Sequence, residues 1–222
     1  HLLSKGLDVV CGFSSPLLIQ VEGQDQLVLH VKGEVMGVDP KDGGRLWEHP
    51  LTSDWDPTVT PVWDRGRGVL VIDGDTTRLI ELTTTEGKTT PREAWSSAKM
   101  KVAVPTPVFV GGRFYGSTRT VLVAVNAKSG EQVWVERGFP MVSIIHADGK
   151  LVMLDENGQL TLATVEPEGL KIRSQHTVTE KYSLTAPALV GTTLIVRDRK
   201  RIVAIDLGQA PSVASAEQTA GP

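Results

Sequence analysis

Two acidic clusters, Asp73-Gly74-Asp75 and Asp155-Glu156-Asn157-Gly158, are the densest groups of oxygen ligands in the chain. Carboxylate and amide oxygens are what calcium takes, but a calcium loop alternates its acids and ends on a distal Glu. Neither cluster follows that pattern. Asp or Asn beside Gly is also the chemistry of a tight turn, because the side-chain oxygen caps the backbone and glycine accepts a positive φ. Turns are the expectation for both. The five histidines, His1, His30, His49, His146 and His176, lack the spacing that brings two imidazoles to one metal. His30 and His146 read as satisfied strand or loop residues. Ser14-Ser15 and Ser96-Ser97 have no nucleophile context, and Gly43-Gly44 and Gly111-Gly112 lack the following helix of a phosphate cradle. No catalytic or metal-binding residue is assigned.

Binding residues are easier to nominate. Arg197-Asp198-Arg199-Lys200-Arg201 sets four cations around one acid, either a site for an anionic partner or a solvated hairpin turn. Trp55, in Ser53-Asp54-Trp55-Asp56-Pro57, and Trp63 fall outside the register of the other tryptophans. With Arg197, Arg199 and Arg201 they are the interface candidates. If Trp55 stacks on sugar rings, the chain is a carbohydrate-associated module. The net charge of −3 gives no field that draws nucleic acid or anionic membrane. No apolar run reaches the 18 or so residues of a membrane span. His1 to Lys5 lacks the basic-then-apolar order of a signal peptide. A chain opening on His is expected to be a processed form or a piece of a longer one. Cys11 is the single cysteine, so no intrachain disulfide forms.

The elements that position these residues come from a repeat. Ser15-Pro16, Thr60-Pro61 and Thr106-Pro107 are spaced by 45 and 46 residues, and Ala186-Pro187 follows after 80, room for two units. Each dipeptide opens a series of short Val-rich runs separated by Gly, Asp, Asn and Lys, which read as strands. Four strands in about 40–46 residues make one blade of a β-propeller. Val38 to Trp47 matches Val125 to Trp134 position for position. In that hairpin Asp39 or Asn126 caps the turn and Gly43 or Gly130 supplies the positive φ. Trp47, Trp95 and Trp134 then lie on outer strands, with the ring against the next blade and the indole N–H on a backbone acceptor. Five units follow, at 14–56, 57–102, 103–141, 142–184 and 185–208. Unit two has a longer hairpin through Thr83 to Lys88. Unit four carries Ile172 in the Trp position, and unit five stops without an outer strand. The tail, 209–222, is low in hydrophobic residues and is expected to be disordered.

The phrase Ala-x-Asp-x-x-x-Gly-x-x-x-Trp resembles that of pyrroloquinoline-quinone-like (PQQ-like) propeller repeats. Val38 to Trp47 and Val125 to Trp134 carry the likeness, with the openers Phe13 to Leu18 and Leu184 to Leu189. It covers about residues 9 to 208. Relatives include quinoprotein dehydrogenases, a lipoprotein of the outer-membrane β-barrel assembly machinery and secreted bacterial proteins of unknown role. This sequence looks closest to the last group. The resemblance implies an all-β propeller of four-stranded antiparallel blades, with five units of an eight-bladed ring present. It also implies a periplasmic or secreted location. Gly6 to Cys11 is either an outer strand left from a preceding blade or the strand that unit five lacks. The expected function is a non-enzymatic scaffold that binds a protein or small ligand on the face made by blade connections. The missing blades of its own full-length chain are a further expected partner. No cofactor is expected. A quinoprotein dehydrogenase fragment, the alternative, requires PQQ with calcium, and the single cysteine excludes the adjacent-cysteine disulfide many such enzymes carry.

Overall fold

The computed structural model describes residues 12–102 and 104–208, so the readings of Gly6 to Cys11 and of the tail lie outside the described residues. Every regular element among them is a strand. Blade one comprises β1 (Leu17–Val21), β2 (Gln24–Val31), β3 (Glu34–Val38) and β4 (Arg45–Pro50). Blade two comprises β5 (Val62–Trp63), β6 (Gly68–Asp73), β7 (Thr76–Thr85) and β8 (Lys88–Ser97). Blade three comprises β9 (Val108–Val110), β10 (Arg113–Ser117), β11 (Val121–Asn126) and β12 (Gln132–Arg137). Blade four comprises β13 (Ser143–Ala147), β14 (Lys150–Leu154), β15 (Gln159–Glu166) and β16 (Gly169–Thr177). Blade five has β17 (Ala188–Val190), β18 (Thr193–Arg197) and β19 (Ile202–Asp206). Within each sheet the strands pair antiparallel in chain order, four in blades one to four and three in blade five.

These segments are strands because their apolar residues serve two faces. The inner strands β6 and β11 are buried nearly end to end, as strands covered on both sides must be. One face of each blade meets the next. Val28, Val35 and Trp47 of blade one pack on Val69, Val71 and Ile80 of blade two. Leu70, Leu79 and Trp95 meet Phe114, Val123 and Val125. Tyr115, Leu122 and Trp134 meet Ile144, Leu151 and Met153. Val152 and Leu154 meet Leu194 and Val196. Among the described residues nothing covers the far face of blade five, where Ile202 is 75% and Val190 69% exposed.

The hairpin shared by blades one and three is the same object twice. Asp39 Oδ1 accepts from the Lys41 N–H and Asn126 Oδ1 from the Lys128 N–H, each at 2.8 Å. Gly43 and Gly130 close the turns at φ of 76° and 70°. A register shift follows on the third strand, at Gly37/Val38, Leu79/Ile80 and Ala124/Val125. Trp47, Trp95 and Trp134 stand opposite Gly37, Leu79 and Ala124, immediately before each shift. Such a bulge turns the outer strand and re-aims its side chain. Gly37 is small for a reason: a Cβ there would sit inside the Trp47 indole. The indole N–H groups have different fates. Trp95 donates to the Ala127 carbonyl of blade three at 2.9 Å, whereas Trp47 donates to Gln26 Oε1 in its own blade. Trp134 Nε1 is buried without a partner, unlike the expectation.

Two details of the sequence reading change. Blade two turns over Glu86 and Gly87 alone, both at positive φ, the two-residue geometry that matches strand twist. The threonines Thr83 to Thr85 therefore belong to β7. In blade four the register shift falls at Leu162/Ala163, which puts Ser174, opposite Leu162, in the tryptophan position. Ile172 pairs with Ala163 beyond the shift and is 49% exposed. Counting along the strand missed the residue that the bulge inserts.

Trp95→Ala is expected to cost about 3–5 kcal/mol in urea unfolding, because it empties an inter-blade contact and frees the Ala127 carbonyl. Ile172→Thr is expected to change stability by no more than about 0.5 kcal/mol. Equal costs would mean that the tryptophan register is misassigned.

Candidate functional site

The hairpins between second and third strands, and the connections between blades, gather on one face. There the loops of blades one, two and three enclose a cavity of about 480 Å3. Val31, Leu51, Val59, Ile72 and Val102 give it an apolar lining, and Lys101, Arg119, Asp56, Asp73 and Asp75 are its charged groups. Trp55, 68% exposed, belongs to the same wall.

Asp73 shapes this wall. It ends β6, and its carboxylate is buried under the connection arriving from blade one. Oδ1 accepts from the Ser53 N–H at 2.8 Å. Oδ2 accepts from the Thr52 N–H, the Thr52 hydroxyl and Arg78 Nε, at 3.0, 2.9 and 2.8 Å. Burial alone would raise its pKa, but the bonds from Thr52, Ser53 and Arg78 outweigh burial and hold it below the ordinary value. Arg78 also donates to Glu93 Oε2 at 2.6 Å, so the pair is compensated inside the protein. Further along, the Phe13 N–H donates to the Pro57 carbonyl at 2.7 Å and the Trp55 N–H to Ser53 Oγ at 3.1 Å. The loop that displays Trp55 is therefore tied at both ends.

Asp198 does the same work in blade five. It accepts from the Lys200, Glu180 and Arg201 N–H groups, and these donors lower its pKa to about 2. Asp155 Oδ1 holds the Asn157 and Gln159 N–H groups, each at 2.9 Å. An Asp ends or directly follows the second strand in blades two, four and five, a recurrence that escaped the sequence reading.

His30, on β2, is 6% exposed and lines the cavity. Burial lowers its pKa, against the opposing effects of hydrogen bonding to the Val59 backbone and of the Asp73 charge. The ring is thus neutral near pH 7, and its Nδ1 has no hydrogen-bond partner. That differs from the satisfied residue the sequence implied. His146 is exposed on β13, at another cavity between blades three and four.

The remaining candidates are dispersed. Trp63 is half-buried on β5 against the core between blades one and two. Arg197, Arg199 and Arg201 are exposed on blade five, away from the Trp55 cavity. Arg199 stacks 4.2 Å over the Tyr182 ring, and Arg201 Nη2 lies 3.5 Å from Asp198 Oδ2. Lys101, Arg119 and Asp56 escaped the sequence reading, because nothing local distinguishes a loop charge that faces a cavity.

With the repeat geometry in place, the comparison with known families is decisive. The model of the family described as outer membrane protein assembly factor BamB matches residues 6–105 and 84–221. The chain belongs to the BamB family. No curated protein sequence matches it. BamB from Moraxella catarrhalis is similar in structure, with a TM-score of 0.63 at 16% identity over 87% of this chain and 56% of that one. The computationally designed Ika8 protein gives 0.60 at 13% identity, over 85% and 57%. A chain of the Mitotic Checkpoint Complex gives 0.65 at 13%, over 83% and 62%. At such identities the likeness shows the fold, a β-propeller. This BamB-family chain spans little more than half the length of the solved structures it resembles. Among the described residues no helix is long and apolar enough to cross a membrane.

Two groups give the BamB-family propeller separate pH limits. His30 has a folded pKa below its unfolded value of 6.5, so its contribution is intact above that pH and is lost as pH falls through the folded pKa. Asp73 obeys the same sign below 3.8. Stability measured against pH should flatten below 6.5 in His30→Gln relative to the parent; His49, also lowered by burial, is common to both. Asp73→Asn should cost about 3 kcal/mol at pH 7 and remove part of the decline below pH 4. Unchanged pH profiles would refute these assignments.

Proposed function

We propose that this chain is a non-enzymatic propeller scaffold that presents its blade-connecting loops to a protein partner in an extracytoplasmic compartment. The observation that carries this reading is the cavity on the loop face with exposed Trp55 on a loop tied by Asp73 and Phe13. A large aromatic held in solvent on a rigid support has the anatomy of an interface anchor. Membership of a family named for outer-membrane protein assembly supports a protein partner and a location outside the cytoplasm. The open far face of blade five and the partial span of its relatives support five blades of a larger ring.

A quinone-dependent activity has less support. PQQ with calcium would need free carboxylate oxygens, yet Asp73 is engaged by Thr52, Ser53 and Arg78, and Asp155 by Asn157 and Gln159. Among the described residues no three His, Cys, Asp or Glu side chains converge to hold that ion. A sugar stacking on Trp55 is the other reading.

A photo-activated benzophenone amino acid at position 55 of the full-length protein should give discrete protein adducts in cells. The same group at Lys171 on the exposed outer strand β16 should not. Equal labelling at both positions, or adducts that only glycan-degrading enzymes remove, would overturn the protein-scaffold reading.

A further inference from the structure

Several polar groups of the Trp55 cavity lack partners, and their chemistry describes a ligand. On the loop from blade one, Trp55 stands between Asp54 and Asp56, and neither carboxylate has a hydrogen bond or ion pair among the described residues. Both are exposed, and Asp56 lines the cavity whereas Asp54 lies outside its lining. Deeper, neutral His30 has an unpartnered Nδ1, a hydrogen-bond acceptor that lacks a donor. On the opposite wall Lys101 is already balanced by Asp75, at 3.6 Å. Asp73 is balanced by Arg78. Among the described residues Arg119 is the one cation of the lining without an ion pair, and Asp56 is the one such acid.

We propose that this cavity receives a basic side chain, an arginine or a lysine, from the protein partner. Trp55 offers its π face to the cation, Asp56 offers a carboxylate from the lining with Asp54 next along the same loop, and His30 accepts a ligand N–H. The inference rests on the scaffold reading above and adds the chemistry of the group recognised. An aromatic face attracts a cation through its quadrupole, and a guanidinium brings several donors to acceptors that are otherwise unpaired. The apolar lining from Val31, Leu51, Val59, Ile72 and Val102 suits the methylene stem of such a side chain. About 480 Å3 is room for one long side chain and its flanking main chain. Because the loop is tied at Ser53 and Pro57 before any partner arrives, little ordering cost opposes binding.

The test uses three blocked peptides, acetyl-Gly-Arg-Gly-amide, its citrulline counterpart and its glutamate counterpart, titrated into the full-length protein and followed by Trp fluorescence and NMR. The arginine peptide should bind at least about tenfold more tightly than the citrulline peptide, and the glutamate peptide should bind weakest. Trp55→Ala and Asp56→Asn should each weaken arginine binding by about fivefold or more. Arg119→Gln should strengthen it, because it removes the one opposing charge. All three positions are exposed loop residues, so unfolding temperatures should stay near the parent's. Preference for the glutamate peptide, abolished by Arg119→Gln, would overturn the proposal in favour of an acidic ligand. Absence of binding by any peptide, while position 55 still cross-links to protein, would overturn it and leave the scaffold reading intact. Failure of both measurements would remove the scaffold reading as well.

Discussion

A four-stranded antiparallel sheet of apolar residues cannot be stable with both faces in water, and everything in this molecule follows from how that constraint is met. Blades one to four lean on the next blade through Val, Leu and Ile side chains of their inner strands. In blades one to three a tryptophan on the outer strand is turned into the gap by a bulge placed after the hairpin. At Gly37 the ring leaves no room for a side chain, whereas Leu79 stands opposite Trp95. Where the tryptophan is missing, in blade four, the same position is taken by Ser174 opposite the larger Leu162.

Stacking blades this way puts alternate loops on a common face. The connection between blades must cross from an outer strand back to an inner one, and its backbone N–H groups need acceptors along the way. Asp73 meets that need for Thr52 and Ser53, and Asp198 meets it for Glu180. A carboxylate at the end of the second strand thus fixes the loop that precedes its blade. One consequence is structural, the low pKa of both acids. The other is functional: the loop carrying Trp55 is rigid enough to hold a large aromatic ring in solvent without burying it.

The same arrangement is what the proposed binding role of this face rests on. Asp73, Asp155 and Asp198 are engaged in supporting loops. The groups left unsatisfied, namely Asp54, Asp56, Arg119 and the His30 Nδ1, surround the Trp55 cavity or neighbour it. A surface with committed supports and uncommitted tips is suited to recognition, and the repeat that builds it is that of the BamB family.

The sequence by itself determined the architecture. Its repeat of Val-rich runs, its Asp-x-x-x-Gly-x-x-x-Trp phrases and its turn residues act over a few neighbouring positions, and local backbone preference is legible in one dimension. Even Trp55 stood out, because it broke the register of Trp47 and Trp134. Bulges were not legible, since the extra residue shows only against a paired strand; for that reason Ile172 was read where Ser174 stands. Tertiary structure alone decided which charges meet. His30, Trp55, Lys101 and Arg119 come from three blades and converge because loops of successive sheets share one face, and no local pattern records a contact made across the gap between sheets.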